Sequence, residues 1–135
     1  MADAAVVLDA SALLAHLNDE PGANLVEDAL MKGAAISAAN LAEVLSKLGE
    51  LGEDPRQVNE SLWRRGLLGT NVEVFPLVAE DAVAIADLHR KTKPHGLSLG
   101  DRACLSLALR LRLPALTADR TWSRLRVGVK VETIR

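Results

Sequence analysis

Short apolar runs and longer amphipathic stretches alternate along the chain. Residues 4–8 and 34–36 are apolar without a break, which is typical of a strand covered on both faces, as in a parallel sheet. Residues 72–75 alternate between apolar and polar positions, as a half-buried strand does. Between such runs the apolar positions recur at helical spacing, as they do from Leu41 to Leu48. The pattern predicts strands that are separated by helices.

Glycine, proline and capping residues mark where the predicted elements begin and end. Asp54-Pro55, for example, favours a helix start, with Asp as the cap and Pro at the first helical position. The predicted strands are 4–8, 34–36, 72–75, 114–117 and 127–134. The predicted helices are 10–17, 23–31, 55–68, 80–91 and 98–113, with another through 41–48 and a helical turn after Asp119.

This order of elements predicts the fold class. Strands that are joined through helices pair in parallel through right-handed crossovers, so helices cover both faces of one central sheet. The 135 residues are about one domain in length, and they contain no repeat or linker. We therefore predict a single α/β domain over residues 1–135, with a central, mainly parallel sheet that is flanked by helices.

Composition narrows the classes of function. Apolar residues make up 49% and charged residues 25%, as in an ordinary globular protein, but aromatic residues make up only 2%. The core must therefore be aliphatic, and stacking of bases on aromatic side chains is a poor explanation for any nucleic-acid binding. The single Cys104 excludes an internal disulfide and a cysteine-based zinc site, and three scattered histidines do not suggest a metal cluster.

Charge and hydropathy bear on partners and location. Residues 1–67 carry 11 acidic and 5 basic residues, whereas residues 68–135 carry 7 acidic and 11 basic ones. This asymmetry allows a basic patch from the second half, although solvated helix faces explain the same charges. No segment approaches the roughly 18 uncharged apolar residues of a membrane span. The opening Met1-Ala2-Asp3 shows no basic leader, so we expect a cytoplasmic protein without a membrane partner.

Four acidic residues stand at predicted strand ends and helix starts: Asp9, Glu43, Asp101 and Asp119. Each has an ordinary explanation when it is taken alone. Asp9 and Asp119 suit helix caps, Asp101 suits a capping box, and Glu43 is spaced for an ion pair with Lys47. Taken together they need another explanation, because all four fall at the carboxyl edge of a parallel sheet, where such folds place their sites.

A cluster of carboxylates without basic partners is repulsive unless a cation binds it. Oxygen ligands are typical of a hard divalent ion such as Mg²⁺ or Mn²⁺. Such a site keeps positions open for water and phosphate oxygens, so its natural chemistry is metal-assisted hydrolysis of a phosphodiester. We therefore predict a metal site that is formed by these four carboxylates.

Four sequence motifs resemble those of one known family. They are VLDASAL at 7–13, ISAANLAEV at 36–44, LSLGDRACL at 97–105 and LTADRTW at 116–122. They resemble, in the same order, the four acidic motifs of PIN-domain proteins, and the resemblance covers nearly the whole chain. In size and sequence the chain looks most like the VapC toxins, the ribonuclease halves of bacterial VapBC toxin–antitoxin modules.

The resemblance implies an endoribonuclease that depends on Mg²⁺ or Mn²⁺ and leaves 5′-phosphate and 3′-hydroxyl ends. It implies that Asp9 and Asp101 bind the metal directly. Glu43 and Asp119 would complete the shell, directly or through water. Some relatives carry a further acid shortly after the Asp of the fourth motif, but residues 120–122 are not acidic here. This difference leaves open whether one or two metal ions bind.

The sequence also offers candidates for side chains that support the site, for RNA contacts and for partners. The resemblance implies that Ser11, Asn40 and Thr117 support the site, although Ser11 and Asn40 suit helix capping equally well. Arg102 and Arg120, each next to a site acid in sequence, are our candidates for contacts with RNA phosphates. The implied partners are an RNA of the tRNA or rRNA class, a VapB-type antitoxin and a second copy of the chain in a homodimer.

Two other functions fit parts of the sequence. A non-catalytic PIN-like protein-binding module would use its acids as caps, and the loss of a site acid would be its signature, whereas all four acids are present. A receiver-like phosphoacceptor domain also places Asp residues at strand ends. It needs a Lys near the end of its fifth strand, and only Lys130, inside the last predicted strand, lies nearby. A metal-dependent ribonuclease is therefore the main hypothesis, with the binding module as its alternative.

Overall fold

Within residues 3–135, which the computed structural model describes, five strands form one central sheet and six helices flank it. Met1 and Ala2, part of the N-terminus that we expect to carry no leader, lie outside the described residues. The strands are β1 (Val6–Leu8), β2 (Ala34–Ser37), β3 (Val72–Phe75), β4 (Ala115–Thr117) and β5 (Val131–Thr133). The helices are α1 (Ala10–Leu17), α2 (Ala23–Lys32), α3 (Ala38–Glu50), α4 (Pro55–Arg64), α5 (Asp81–Lys91) and α6 (Leu99–Leu111).

The strand order of the sheet is β3-β2-β1-β4-β5, and every neighbouring pair is parallel. Val7 pairs with Ala35 on one side and with Ala115 on the other, so β1 is the central strand. The chain adds β2 and β3 on one side of β1 and then crosses to add β4 and β5 on the other. This order confirms the predicted α/β fold, and it puts a crevice at the carboxyl ends of β1 and β4, where the order reverses.

Two apolar clusters lie on opposite faces of the sheet. Because side chains alternate along a strand, Val6 and Leu8 of β1 enter one cluster and Val7 enters the other. The first cluster also takes residues from α1 to α4: Leu13, Val26, Val44 and Leu62. The second takes residues from α5, α6 and the turn after β4: Leu88, Leu105 and Trp122. Burial on both faces explains why the β1 segment is apolar without alternation.

Two helices end earlier than the sequence pattern predicts. The helix α4 stops at Arg64, because Gly66 takes a φ of 81° and turns the chain back toward β3. The helix α6 stops at Leu111, because Arg112 takes the left-handed conformation with a φ of 58°. Such ends depend on the local backbone, which a side-chain pattern does not report.

The last strand is also shorter than the predicted 127–134. Only 131–133 pair with β4, and Gly128 turns the chain ahead of them with a φ of 84°. Val127 and Val129 pack against the second apolar cluster instead of pairing. Their alternation therefore reflects packing on a core face rather than a ladder of hydrogen bonds.

Cys104 lies fully inside the second cluster, where it packs as a buried free thiol. Burial is the main cause that raises its pKa well above the usual value, so the reactive thiolate is strongly disfavoured. None of the helices in the described part of the chain is both long and apolar enough to span a bilayer.

Candidate active site

One pocket at the carboxyl edge of the sheet is lined by all four predicted carboxylates. Asp9 follows β1, Asp119 follows β4, Glu43 lies in α3 and Asp101 lies in the first turn of α6. The cavity has a volume of about 200 Å³, and its other lining residues are Ala10, Ser11, Leu14 and Lys47. Acids that are far apart in sequence meet here because parallel strands all end at the same edge.

Asp9 is the most buried of the four acids, with 5% of its surface exposed. Its Oδ1 accepts hydrogen bonds from the backbone N of Ala12 at 2.8 Å and from Oγ of Ser11 at 2.7 Å, and its Oδ2 accepts from Oγ1 of Thr117 at 2.6 Å. The bond from Ala12 makes Asp9 the N-cap of α1. An ionised carboxylate has about four acceptor positions, so a capping role leaves room for a ligand as well.

Burial dominates the acid–base behaviour of Asp9. Removal from water raises its pKa to about 6, against the lowering effect of the hydrogen bonds from Thr117, Ser11 and Ala12. The neighbouring charge of Asp101 adds to the increase. The carboxyl is therefore mostly ionised at neutral pH and takes up a proton in mild acid.

Two hydroxyls tie the chain after β4 to the Asp9 carboxylate. Oγ of Ser11 donates to Asp9 and accepts from the backbone N of Ala118 at 2.9 Å. Oγ1 of Thr117 donates to Asp9 and accepts from the backbone N of Asp119 at 3.0 Å. Each hydroxyl thus uses both its donor and its acceptor capacity, so the carboxylate is held in one position relative to the loop that carries Asp119.

Glu43 is held by contacts between α3 and α6. Nδ2 of Asn40, one turn earlier on α3, donates to Oε1 of Glu43 at 2.9 Å and to the carbonyl O of Gly100 at 3.0 Å. Partial burial is the main cause that raises the pKa of Glu43, and the charge of Asp101 raises it further, whereas the bond from Asn40 and the charge of Lys47 lower it. One buried amide therefore both positions this carboxylate and favours its charged form.

Asp101 and Asp119 each cap a local turn with one carboxylate oxygen. Oδ2 of Asp101 accepts from the backbone N of Ser98 at 3.0 Å, and Oγ of Ser98 accepts from the backbone N of Asp101 at 3.1 Å, which forms the capping box of α6. Oδ1 of Asp119 accepts from the backbone N and Oγ1 of Thr121 at 3.0 and 2.7 Å. Within the described chain the second oxygen of each carboxylate accepts no hydrogen bond, so capping and ligation are compatible.

Comparison with known proteins identifies the family. The sequence matches the PIN domain over residues 6–128, which is most of its length. The chain belongs to the PIN-domain family. Its four acidic motifs and its parallel sheet agree with that assignment. None of the curated protein sequences matches this chain.

Solved structures of toxin–antitoxin proteins share the fold of this PIN domain. A toxin–antitoxin complex from Klebsiella pneumoniae is 20% identical, with a TM-score of 0.73 over 97% of this chain and 98% of that one. VapC20 from Mycobacterium tuberculosis, a sarcin-ricin loop cleaving toxin, is 16% identical, with a TM-score of 0.72 over 93% and 99%. VapBC-5 from the same organism, of the VapBC family of toxin–antitoxin systems, is 26% identical, with a TM-score of 0.59 over 98% and 99%.

Gly100 packs directly against Glu43, one of the predicted site residues, and the sequence analysis did not single it out. A Cβ atom at this position would collide with the carboxylate of Glu43. Glycine inside a helix costs about 1 kcal/mol relative to alanine, so its place in the first turn of α6 has a packing reason. The signal in the sequence was a helical glycine directly before Asp101.

Lys47 is a second residue near the site acids to which the sequence analysis gave no role in the site. It is the single basic residue among those that line the pocket in the described part of the chain. The sequence suggested an ion pair with Glu43 one turn earlier, but its Nζ lies 3.8 Å from Oε2 of Glu50 instead. Its spacing of four residues from a site acid was the signal that it shares the face of α3 with Glu43.

The two arginines that were predicted to contact RNA lie in different surroundings, and neither is among the residues that line the pocket in the described chain. Nη1 of Arg102 donates to the carbonyl O of Ile85 at 3.0 Å, which ties α6 to α5. Arg120 is exposed, and its Nε donates to the carbonyl O of Arg135 at 2.9 Å. Arg102 therefore serves helix packing, whereas Arg120 stands on the surface beside Asp119.

The donor set of the PIN-domain pocket fits a hard divalent cation. Its four acids offer oxygen ligands, and the other described residues that line it contribute neither imidazole nor thiolate. The charge of Asp101 raises the pKa of both Asp9 and Glu43, so these carboxylates lie close enough to repel one another. As the side chains stand, residues 3–135 contain no group of three or more His, Cys, Asp or Glu that could hold a metal ion. The four carboxylates therefore line one pocket without forming a ready-made ligand cluster.

Proposed function

We propose that this PIN-domain protein is a metal-dependent endoribonuclease and the toxin of a type II toxin–antitoxin pair. The observation that carries the proposal is the meeting of Asp9, Glu43, Asp101 and Asp119 at one pocket. The pocket lies where the strand order reverses, which is the place where open parallel sheets bind ligands. A structural relative that is a sarcin-ricin loop cleaving toxin supports RNA as the substrate.

The four carboxylates would hold Mg²⁺ or Mn²⁺. When bound, such an ion activates water as a nucleophile and offsets negative charge on the scissile phosphate. Asp9 and Asp101 are the proposed direct ligands, and Glu43 and Asp119 complete the set. Because the pKa of Asp9 is about 6, neutral solution leaves this acid ionised and able to act as a ligand.

Neighbouring side chains of the protein position these ligands. Short hydrogen bonds from Ser11 and Thr117 hold the Asp9 carboxylate in a fixed orientation. The amide of Asn40 holds Glu43 against α6. We therefore propose the same three residues as supporting groups, as the resemblance implies, which act through the carboxylates rather than on the RNA.

RNA binding and assembly complete the proposal. Arg120 is exposed next to Asp119, and we assign it a contact with an RNA phosphate, whereas Arg102 is already bonded to Ile85. The substrate is an RNA of the tRNA or rRNA class, cut in the cytoplasm. One structural relative is a toxin–antitoxin complex and another belongs to the VapBC family of toxin–antitoxin systems, which supports a VapB-type antitoxin as partner. We also expect the toxin to form a homodimer.

The direct test is RNA cleavage by the purified chain with Mg²⁺ or Mn²⁺. We expect discrete fragments with 5′-phosphate and 3′-hydroxyl ends from the wild type, and none from Asp101→Ala, because loss of this carboxylate removes a proposed metal ligand. Asp28→Ala is the matched control, since Asp28 is an exposed acid on α2 that does not line the pocket in the described chain. Induced expression of the wild type should arrest growth, and expression of Asp101→Ala should not.

Two results would contradict the proposal. Full cleavage by folded Asp101→Ala would show that the carboxylate pocket is not where the RNA is cleaved. Intact RNA and normal growth with folded wild type, in the absence of an antitoxin, would instead favour the alternative of a non-catalytic protein-binding module.

A further inference from the structure

We propose that Lys47 binds a backbone phosphate of the RNA strand that enters the carboxylate pocket. This assignment rests on the proposed ribonuclease function and adds a substrate-binding residue to it. Lys47 lies on α3 one turn after Glu43 and lines the same pocket as Asp9, Asp101 and Asp119. Residues four apart on a helix share a face, so the ammonium group and the site acids are available to the same bound strand.

The ammonium group of Lys47 is free to take an anionic ligand. Its side chain is 63% exposed, and its ion-pair partner Glu50 is 70% exposed. The 3.8 Å between Nζ of Lys47 and Oε2 of Glu50 is longer than a hydrogen bond. Exposed pairs of this kind contribute little to stability, so a phosphate can replace Glu50 without disturbing the fold.

The charge of the pocket explains why a cation is needed there. A polyanionic strand that approaches four carboxylates is repelled by them, and a metal ion offsets only part of that charge. Lysine is a compact, fully charged donor on a flexible stem, which suits a phosphate whose position varies along a strand. Among the lining residues of the described chain, Lys47 is alone in supplying such a charge.

Lys130 provides a matched control for Lys47. Its side chain is 78% exposed, and its Nζ lies 3.6 Å from Oε1 of Glu132, an exposed pair much like that of Lys47 with Glu50. Its carbonyl O accepts from the backbone N of Ala115 at the start of β4, so Lys130 stands at the amino edge of the sheet, away from the pocket. The two lysines therefore differ mainly in location.

The experiment measures RNA affinity without cleavage. In an Asp101→Asn chain with saturating Mn²⁺, a labelled RNA hairpin of mixed sequence is titrated at several salt concentrations. Adding Lys47→Ala should raise Kd about fivefold. It should also make the negative slope of the logarithm of the binding constant against log salt shallower by about 0.7, which corresponds to the loss of one phosphate contact on a single strand. Adding Lys47→Arg should preserve both values, and adding Lys130→Ala should change neither.

Each outcome separates this assignment from the proposed function. RNA binding that responds equally to Lys47→Ala and Lys130→Ala would overturn the role of Lys47 and leave the ribonuclease proposal intact. A Lys47→Ala chain whose only change is tighter Mn²⁺ binding would also overturn it, because Lys47 would then tune the carboxylates alone. Absence of RNA binding by the Asp101→Asn host, together with absence of cleavage by the wild type, would overturn both proposals.

Discussion

The two halves of the carboxylate pocket are built in different ways. The inner half, formed by Asp9, Ser11 and Thr117, lies at the ends of the adjacent strands β1 and β4. Two hydroxyls hold its carboxylate, and that of Thr117 is fully buried. The outer half, formed by Asn40, Glu43, Gly100 and Asp101, lies between α3 and α6, and its two carboxylates are only partly buried.

The difference shows that strand pairing positions one part of the pocket and helix packing positions the other. Strand pairing sets the inner half, so Asp9 and Thr117 meet with little freedom, and burial raises the pKa of Asp9. Helix packing sets the outer half. There the Asn40 amide and the absence of a side chain at Gly100 fix the position of Glu43. We therefore expect changes in the inner half to alter stability strongly and changes in the outer half to alter ligand binding with little effect on stability.

The largest expected effect on stability comes from Asp9→Asn without divalent ions. A carboxyl whose pKa is about 6 when folded and near 3.8 when unfolded binds its proton more tightly in the folded state, so wild-type stability is lost as pH rises through that interval. The loss is about 3 kcal/mol at neutral pH. Asn is uncharged and similar in shape, so urea unfolding should find the variant more stable at neutral pH by a comparable amount.

The pH profile is the control for Asp9→Asn. The two chains share every other titrating group, so the difference between their free energies of unfolding should be small near pH 4 and should grow as pH rises through about 6. Parallel profiles would contradict the raised pKa of Asp9 and the contrast between the two halves. The variant should also lose the stabilisation that Mn²⁺ gives the wild type.

The next largest effect is expected from Thr117→Val. Thr117 is fully buried, and the change removes the donor to Asp9 and the acceptor for the backbone N of Asp119. Leaving a buried charged acceptor without its partner costs about 2 kcal/mol. We expect this loss in urea unfolding at neutral pH, and a smaller loss in mild acid where Asp9 is protonated. Thr117→Ser keeps the hydroxyl and should lose less at neutral pH; equal stability of Thr117→Val and wild type would count against the hydroxyl network.

The smallest effect on stability is expected from Gly100→Ala in the outer half. Alanine gains helix propensity, but its Cβ must push the Glu43 carboxylate aside, so the free energy of unfolding should change by less than about 1 kcal/mol. Displacing one ligand should weaken Mn²⁺ binding and cleavage about 10- to 100-fold. Calorimetric titration with Mn²⁺ and the cleavage assay measure these two quantities.

Gly49→Ala is the matched control for Gly100→Ala. Gly49 lies near the end of α3, and a Cβ there meets only the ring of Pro55, at 3.2 Å, among the described residues. We expect this variant to keep wild-type affinity for Mn²⁺. Unchanged metal affinity in Gly100→Ala would show that Glu43 tolerates displacement and that the outer half does not depend on the bare glycine.

Local patterns in the sequence determined the fold class and the positions of the four acids. The unbroken apolar run of β1 requires burial on both faces, and the order of strands and helices implies a parallel sheet. Once the strands are parallel, Asp9 and Asp119 must share an edge. These conclusions depend on neighbours in sequence, so they could be predicted before any contact was known.

Only the tertiary structure decided which groups touch. The pairing of β1 with β4 brings Thr117 to Asp9, the packing of α3 on α6 brings Gly100 to Glu43, and the packing of α6 on α5 turns Arg102 to Ile85. Each contact joins residues from different elements, whose register no periodic pattern encodes. The burial that raises the pKa of Asp9 is likewise a property of everything packed around it, because desolvation depends on the whole fold.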